Sequence, residues 1–466
     1  VNQIQKNFLS DQNTFTPCYM QPMVSMKSYD KKIVNLAIPN ILSNLSVPIL
    51  GAVDTAIIGQ LDELYYLGAI AVGSLVFDFI FWGFGYLRMG TTGLVAQALG
   101  ASNHQMIRNL WLRGVLFGSL LGCALAALQN PIIHWSLIIV SPSEQVAFYA
   151  TEYIKIRIWA APATLLLYGL NGWFLGMQNA KIPMIITIVL NLINLALNIL
   201  FVLVLDWKVT GIALGSVIAT YLALFLALSI FFQFYAKYWE SGWLGEWQNS
   251  TFWEPSTWKD WLGVNRDIFI RTLCLIFTYA YFTTISARAG DLVLATNTIL
   301  LQFWHISSYG IDGFAYAAES LSGIYWGQKN TEAFKLIVKK TMQWGLGLGF
   351  SLSALFYIGF EPLFMLFTDI SAVVEQAQYV MLYTVIAPII NSICFIWDGV
   401  YMGTSNTKPL RNTMVIATFL IYVPLYLFIA PYMGIHAIWI AMIIFMIARG
   451  ILLSIMAHHY FSIKRN

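Results

Sequence analysis

Predominantly apolar stretches of about 20 residues recur along nearly the whole chain, and no other feature limits its fold as much. Each is long enough to cross a hydrocarbon layer about 30 Å thick as a helix. Within that layer only helices and closed barrels satisfy their own backbone hydrogen bonds. A barrel would alternate apolar and polar residues over short segments, and these runs do not alternate. Charged residues make up only 10% of the chain, against about 25% in soluble domains. The chain therefore reads as an all-α membrane protein, embedded in a lipid bilayer.

Breaks at Gly, Pro, Asn and charged residues predict twelve spans, near 31–58, 66–98, 105–128, 144–177, 183–205, 210–236, 264–288, 291–325, 333–359, 372–402, 409–430 and 435–459. Lys and Arg gather in alternate loops: ASNHQMIRN, QNAKIP, residues 237–263, GQKNTEAFKLIVKK, SNTKPLR and the C-terminal SIKRN. The other loops are nearly free of them, with Lys208 the exception. The positive-inside rule then predicts a multi-pass protein of the inner (cytoplasmic) membrane with both termini in the cytoplasm. Residues 1–29 are polar, lack a signal-peptide core and are expected to form a disordered tail.

A net charge of +3 without a basic block argues against nucleic acid as a partner. The cysteines Cys18, Cys123, Cys274 and Cys394 have no metal or redox spacing. No HExxH, P-loop or nucleophile elbow is present, and the six histidines have no metal spacing, so no enzyme chemistry, metal or cofactor is expected.

The Trp- and Pro-bearing linker 237–263, read as an interfacial segment, separates residues 30–236 from 264–466, and the two parts echo one another. NGWFLGMQNAK (171–181) aligns with DGVYMGTSNTK (398–408) at an offset of about 227 residues, GASN with GQKN, and VTGIALG with YMGIHAI. Six spans per half make the repeats parallel, an arrangement that in transporters places substrate between the halves.

Ionisable residues inside spans are costly and mark pathways or paired structural contacts. Asp54 lies six residues past Pro48, itself preceded by Pro39, so the first span is built to bend. Its carboxylate either caps a backbone or pairs with another helix, or it exchanges a proton in a cavity. Asn191, Asn194 and Asn198 share one face of the fifth span, as a polar lining or as interhelical glue. Asp78 and Arg88 fall on roughly the same side of the second span, as an ion pair or a cavity wall. Asp312 and Glu319 share a face of the eighth, and Asp398 stands in the tenth. Gly114, Gly118 and Gly122 form a packing ridge in the third.

AVDTAIIGQL, YLRMGTTGLVAQALG, DGFAYAAESLSG and DGVYMGTSNTKPLRNTM together resemble the multidrug and toxic compound extrusion (MATE) transporters, in their DinF-like branch. The resemblance extends over residues 30–460. It implies two pseudo-symmetric six-helix lobes in a V-shaped bundle, and an antiporter that extrudes amphipathic or cationic organic molecules in exchange for H⁺ or Na⁺. It assigns cation coupling to Asp54, with Asn194 and Asn198 around it. Asn198 and Asn391 stand where relatives outside the branch carry acids, so H⁺ is expected, with Na⁺ as the alternative. Asn191, Arg88, Asp78, Asn391 and Asp398 are candidates for cavity lining, and Pro48 for a hinge. Protonation of Asp54 is expected to bend the first helix and expel the cargo. A monomer is expected. The alternatives are a lipid-linked precursor flippase, for which Arg88, Arg271 and Arg449 look too few and too dispersed, and a membrane-embedded enzyme.

Overall fold

Long apolar runs punctuated by helix stops become long helices. The computed structural model describes residues 26–59, 63–236, 239 and 252–462. The expected tail before residue 26, residues 60–62, linker residues 237, 238 and 240–251, and the last four residues lie outside the described residues. Twelve long helices follow in order: α1 Met26–Ile58, α2 Leu64–Gly100, α3 His104–Ala127, α4 Glu144–Gly176, α5 Lys181–Val204, α6 Lys208–Phe234, α7 Pro255–Arg288, α8 Asp291–Gly327, α9 Thr331–Phe364, α10 Ser371–Gly403, α11 Lys408–Met433 and α12 Ile435–Ser462. A short helix, Gln129–Val140, links α3 to α4. By length and composition, ten of the twelve can cross a membrane. α8 is equally long but is diluted by Asp312, Glu319, His305 and four serines.

Two helix starts differ clearly from the sequence reading. α1 starts at Met26, inside the expected tail. α7 starts at Pro255, inside the expected linker, because a proline is well placed in a first helical turn and the following turn has a surface to pack on. Phe117 of α3 meets Trp261 at 4.7 Å and Trp258 at 5.7 Å between ring centroids.

The repeat is visible in backbone detail. Asn103 caps α3 by accepting from Met106 N (2.9 Å), and Asn330 caps α9 by accepting from Ala333 N (3.0 Å). Each follows a left-handed residue, Ser102 or Lys329. Gly172 leaves room for the carbonyl of Arg88, and Gly399 leaves the same room for that of Ala315. The expected ridge packs as such: Gly114 faces Gly169, Gly118 the Leu165 backbone and Gly122 Pro162. In the second half Gly345 and Gly349 face Ile396 and Pro388 at the matching places. The protein is thus an all-α membrane protein of two pseudo-symmetric six-helix halves.

The halves meet closely at the end that carries the basic loops. Gly93 of α2 abuts the Met402 carbonyl of α10, and Gly100 and Gly327 place α2 and α8 on each other's backbones. Gln97 donates to Gly403 O (2.8 Å) and Ser405 Oγ (2.7 Å). Gln178 donates to Ser320, whose hydroxyl donates to Leu175 O (2.6 Å). Asp30, ahead of the membrane-crossing part of α1, accepts from Trp344 Nε1 (3.0 Å) and Lys340 Nζ (3.0 Å) of α9.

A side chain at Gly93 must displace backbone, so Gly93→Val should cost about 1–3 kcal/mol, read as a lower melting temperature in detergent; Gly51→Val, where the space is open, serves as the control. The Trp344 indole and then the Lys340 ammonium hold the Asp30 carboxyl below its ordinary value. A depressed carboxylate stabilises above its unfolded pKa and loses that contribution as pH falls through the folded one. The melting-temperature gap between the wild type and Asp30→Asn should therefore be present at pH 7 and close below about pH 3.9.

Candidate functional site

In the first half the spacing of three and four puts Asn191, Asn194 and Asn198 on one buried face of α5. Asn191 donates to Ser46 Oγ of α1 (3.0 Å), Asn194 to Ser216 Oγ of α6 (3.1 Å), and Asn198 to Asn194 Oδ1 (3.2 Å). A Cβ at Gly215 would stand 2.6 Å from Asn198 Oδ1, so α6 approaches only because that side chain is missing. Immediately after Asn198 the helix loosens into a π-helical segment, Ile199–Val204. The fifth helix of the other half carries one as well, Ile416–Tyr422. Such segments are frequent at functional sites.

The network continues through a residue that sequence reasoning missed. Arg157 of α4 donates to Ser216 Oγ (3.0 Å) and to Tyr153 OH (2.7 Å), and Tyr153 OH pairs with Ser74 Oγ of α2 (3.3 Å). A polar chain from Asn198 through Asn194, Ser216, Arg157 and Tyr153 to Ser74 thus crosses four helices. The one local hint was an arginine between apolar neighbours in IKIRIWAAP.

α1 runs as one helix through Pro39, Pro48 and position 54. The side chain of Asp54 lies outside the described residues. Pro48 is exposed, and Ile57, three residues beyond Asp54, is buried against Tyr66, Ile70 and Val202.

Asp78 and Arg88 face different partners. α2 is interrupted at Gly85 between the segments Leu64–Phe84 and Tyr86–Gly100. Asp78, exposed in mid-helix, lies within electrostatic reach of Arg157, Tyr168 and Tyr309. Arg88 crosses to the other half, where its guanidinium covers the Tyr316 ring at 4.1 Å and pairs with Glu319 Oε2 at 3.9 Å.

In the second half Arg271 of α7 and Arg449 of α12 both bind Oδ2 of Asp398 on α10, Arg449 at 2.8 Å. Dispersed in sequence, the two arginines converge on one acid in the structure, which corrects the earlier impression of dispersal. Asp398 is 5% exposed and Asn391 is fully buried, so both sit inside the helix packing. Neither amide atom of Asn391 has a hydrogen-bond partner among the described residues.

Two parallel helical repeats, with buried charges where they meet, make the architecture of a secondary transporter. Residues 39–200 and 268–428 match the MatE family model. DNA damage-inducible protein F of Escherichia coli (strain K12) is 34% identical over 432 residues, covering 93% of each chain. Multidrug resistance protein MdtK of Edwardsiella ictaluri (strain 93-146) is 24% identical, with coverage of 91% of this chain and 94% of that protein. A solved multidrug resistance MATE family transporter of the MOP superfamily, in its outward-facing conformation, superposes with a TM-score of 0.85 at 17% identity, over 94% of this chain and 97% of that one. The chain belongs to the MatE family, within the DinF-like branch. Members of this family are transporters rather than enzymes.

Removing the acid that holds two buried arginines leaves both without a counter-charge. Asp398→Ala should destabilise by about 3–5 kcal/mol. Arg449→Met, which leaves Asp398 paired with Arg271, should cost less. Thermal unfolding of the detergent-solubilised variants checks the order.

Proposed function

We propose that the protein is an H⁺-coupled antiporter that extrudes amphipathic or cationic organic compounds across the cytoplasmic membrane. Residues 30–236 and 264–466 then act as its two lobes, and the basic loops and both termini face the cytoplasm. The observation that carries this reading is the amide stripe of α5, hydrogen-bonded outward to α1, α6 and, through Ser216 and Arg157, to α4 and α2. It gives α1 a polar, uncharged wall on the helix that carries Asp54. A carboxylate against such a wall can be accommodated in both charge states, because amides donate to the anion and accept from the acid.

A proton from outside neutralises Asp54, the amide network of Asn194 and Asn198 rearranges, α1 bends at Pro48, and cargo leaves a shrinking first-half cavity. After the switch inward, the proton departs to the cytoplasm and the charge returns. Phe, Trp, Tyr and Met side chains accept varied apolar cargo, and a cation gains from aromatic faces. The names of the MdtK and DinF relatives are consistent with drug efflux and with this branch. The flippase alternative would need arginines available to a pyrophosphate. Arg271 and Arg449 are both engaged by Asp398, which disfavours it.

Asp54→Asn should abolish proton-driven dye accumulation in everted vesicles by at least about tenfold, the loss expected when an essential proton carrier is removed, while its level in the membrane and its melting temperature stay near the wild type. Near-normal accumulation by that variant would refute the coupling role.

A further inference from the structure

Arg88 and Glu319 are the one described ion pair between two buried charges that joins the first half to the second. Glu319 is 1% exposed and the Arg88 side chain 15%. Their closest atoms are 3.9 Å apart, beyond hydrogen-bond range, and Arg88 Nη1, Arg88 Nη2 and Glu319 Oε1 have no hydrogen-bond partner among the described residues. Glu319 is therefore offset chiefly by Arg88, with the Thr92 hydroxyl beside it, and Arg88 by the Tyr316 ring face, Glu319 and Asp312.

Every surrounding element leaves that dependence in place. α2 contributes Arg88 itself and the Thr92 hydroxyl beside the carboxyl; α4 contributes Tyr168, on the arginine side. α8 adds Tyr316 and Asp312, both within reach of Arg88. α10 presents glycine backbone, with Gly403 against the Glu319 carbonyl. α1 offers the Asn44 amide beside Tyr316, the α9 cation Lys340 is engaged by Asp30, and the α7 cation Arg271 is engaged by Asp398. No second cation among them compensates Glu319.

The pair also lies in the seam of closure at the basic end, with Gln97 on Gly403 and Ser405, and Gln178 on Ser320. Opening that end must carry Arg88 away with α2 and leave Glu319 on α8. Neutralising that carboxylate leaves the Arg88 guanidinium in the packing without its counter-charge, which favours the separation. We propose that Glu319 is a proton-binding site in its own right, loaded from the basic side when the halves separate and emptied to the same side when Arg88 returns.

The balance is simple. One proton adds to one carboxylate oxygen as the ion pair breaks, and the same proton leaves as it reforms, so nothing crosses the membrane. The site sets how readily that end opens at a given pH, whereas net coupling stays with Asp54. The inference rests on the alternating-access reading above but not on the role of Asp54.

The test is hydrogen exchange of the full-length protein in nanodiscs at pH 5.5 and pH 8, corrected for the intrinsic pH dependence of exchange and followed in residues 86–100 and 310–327. In the wild type exchange should rise about threefold or more at the lower pH, the response expected when a closing ion pair is neutralised. Glu319→Gln should exchange fast at both pH values, and Arg88→Lys should keep the pH response. Asp54→Asn should keep it too, even though its transport is lost. Equal wild-type exchange at the two pH values would overturn the proposal, whether or not the variants fold. So would a pH response that survives Glu319→Gln or disappears with Asp54→Asn. Transport by Asp54→Asn alongside an intact Glu319 response would instead sink only the coupling reading.

Discussion

A charge inside a membrane bundle needs a partner, and among the described residues each buried ion pair inside this bundle joins two different helices. Asp398 binds Arg271 and Arg449, and so joins α7, α10 and α12. Glu319 and Arg88 join α8 to α2. Arg157 joins α4 to α6 through Ser216. Apolar side chains pack about as well against lipid as against one another, so they choose neighbours weakly in a bilayer. Buried ionic and amide contacts choose strongly, because the alternative is an unpaired polar group in hydrocarbon. The glycines complete the selection by letting those helices approach to backbone contact.

The same repeat carries different chemistry in its two halves. Gly172 and Gly399 make equivalent backbone contacts, but the residue before them is Asn171 in one half and Asp398 in the other. The second half holds its acid in a two-arginine clamp, an arrangement that resists a change of charge. The first half lines α5 with neutral amides in a chain that reaches α1, α2, α4 and α6. On the proposed reading this division assigns the exchangeable proton to the first half and leaves the second as a more rigid counterpart. Glu319, between the halves and held chiefly by one partner, occupies the middle ground.

Much of the fold was legible because hydropathy and helix stops are local. Twelve spans were placed within a few residues of most helices, and the aligned segments GASN and GQKN end in Asn103 and Asn330, the caps of α3 and α9. The start of α7 was missed because Trp258 and Trp261 suit a membrane interface as well as they suit the surface of α3 that they cover. The ion pairs were illegible for a different reason. Arg271 and Asp398 are 127 residues apart, and no local pattern encodes their meeting. Within α2 the ten-residue spacing of Asp78 and Arg88 suggested a shared side, but the interruption at Gly85 and the pull of Tyr316 and Glu319 send Arg88 to the opposite half. The asparagine stripe was readable from period alone, whereas its partners Ser46, Ser216 and Arg157 required the packing.

The central claim is that a proton, exchanged in the first half, drives export. Purified protein in liposomes, given a pH gradient or a sodium gradient separately and followed with a fluorescent organic cation, tests it most directly. The account predicts transport on the pH gradient without sodium, accompanied by cargo-dependent proton movement in the opposite direction. Transport that requires the sodium gradient and moves no protons would contradict it.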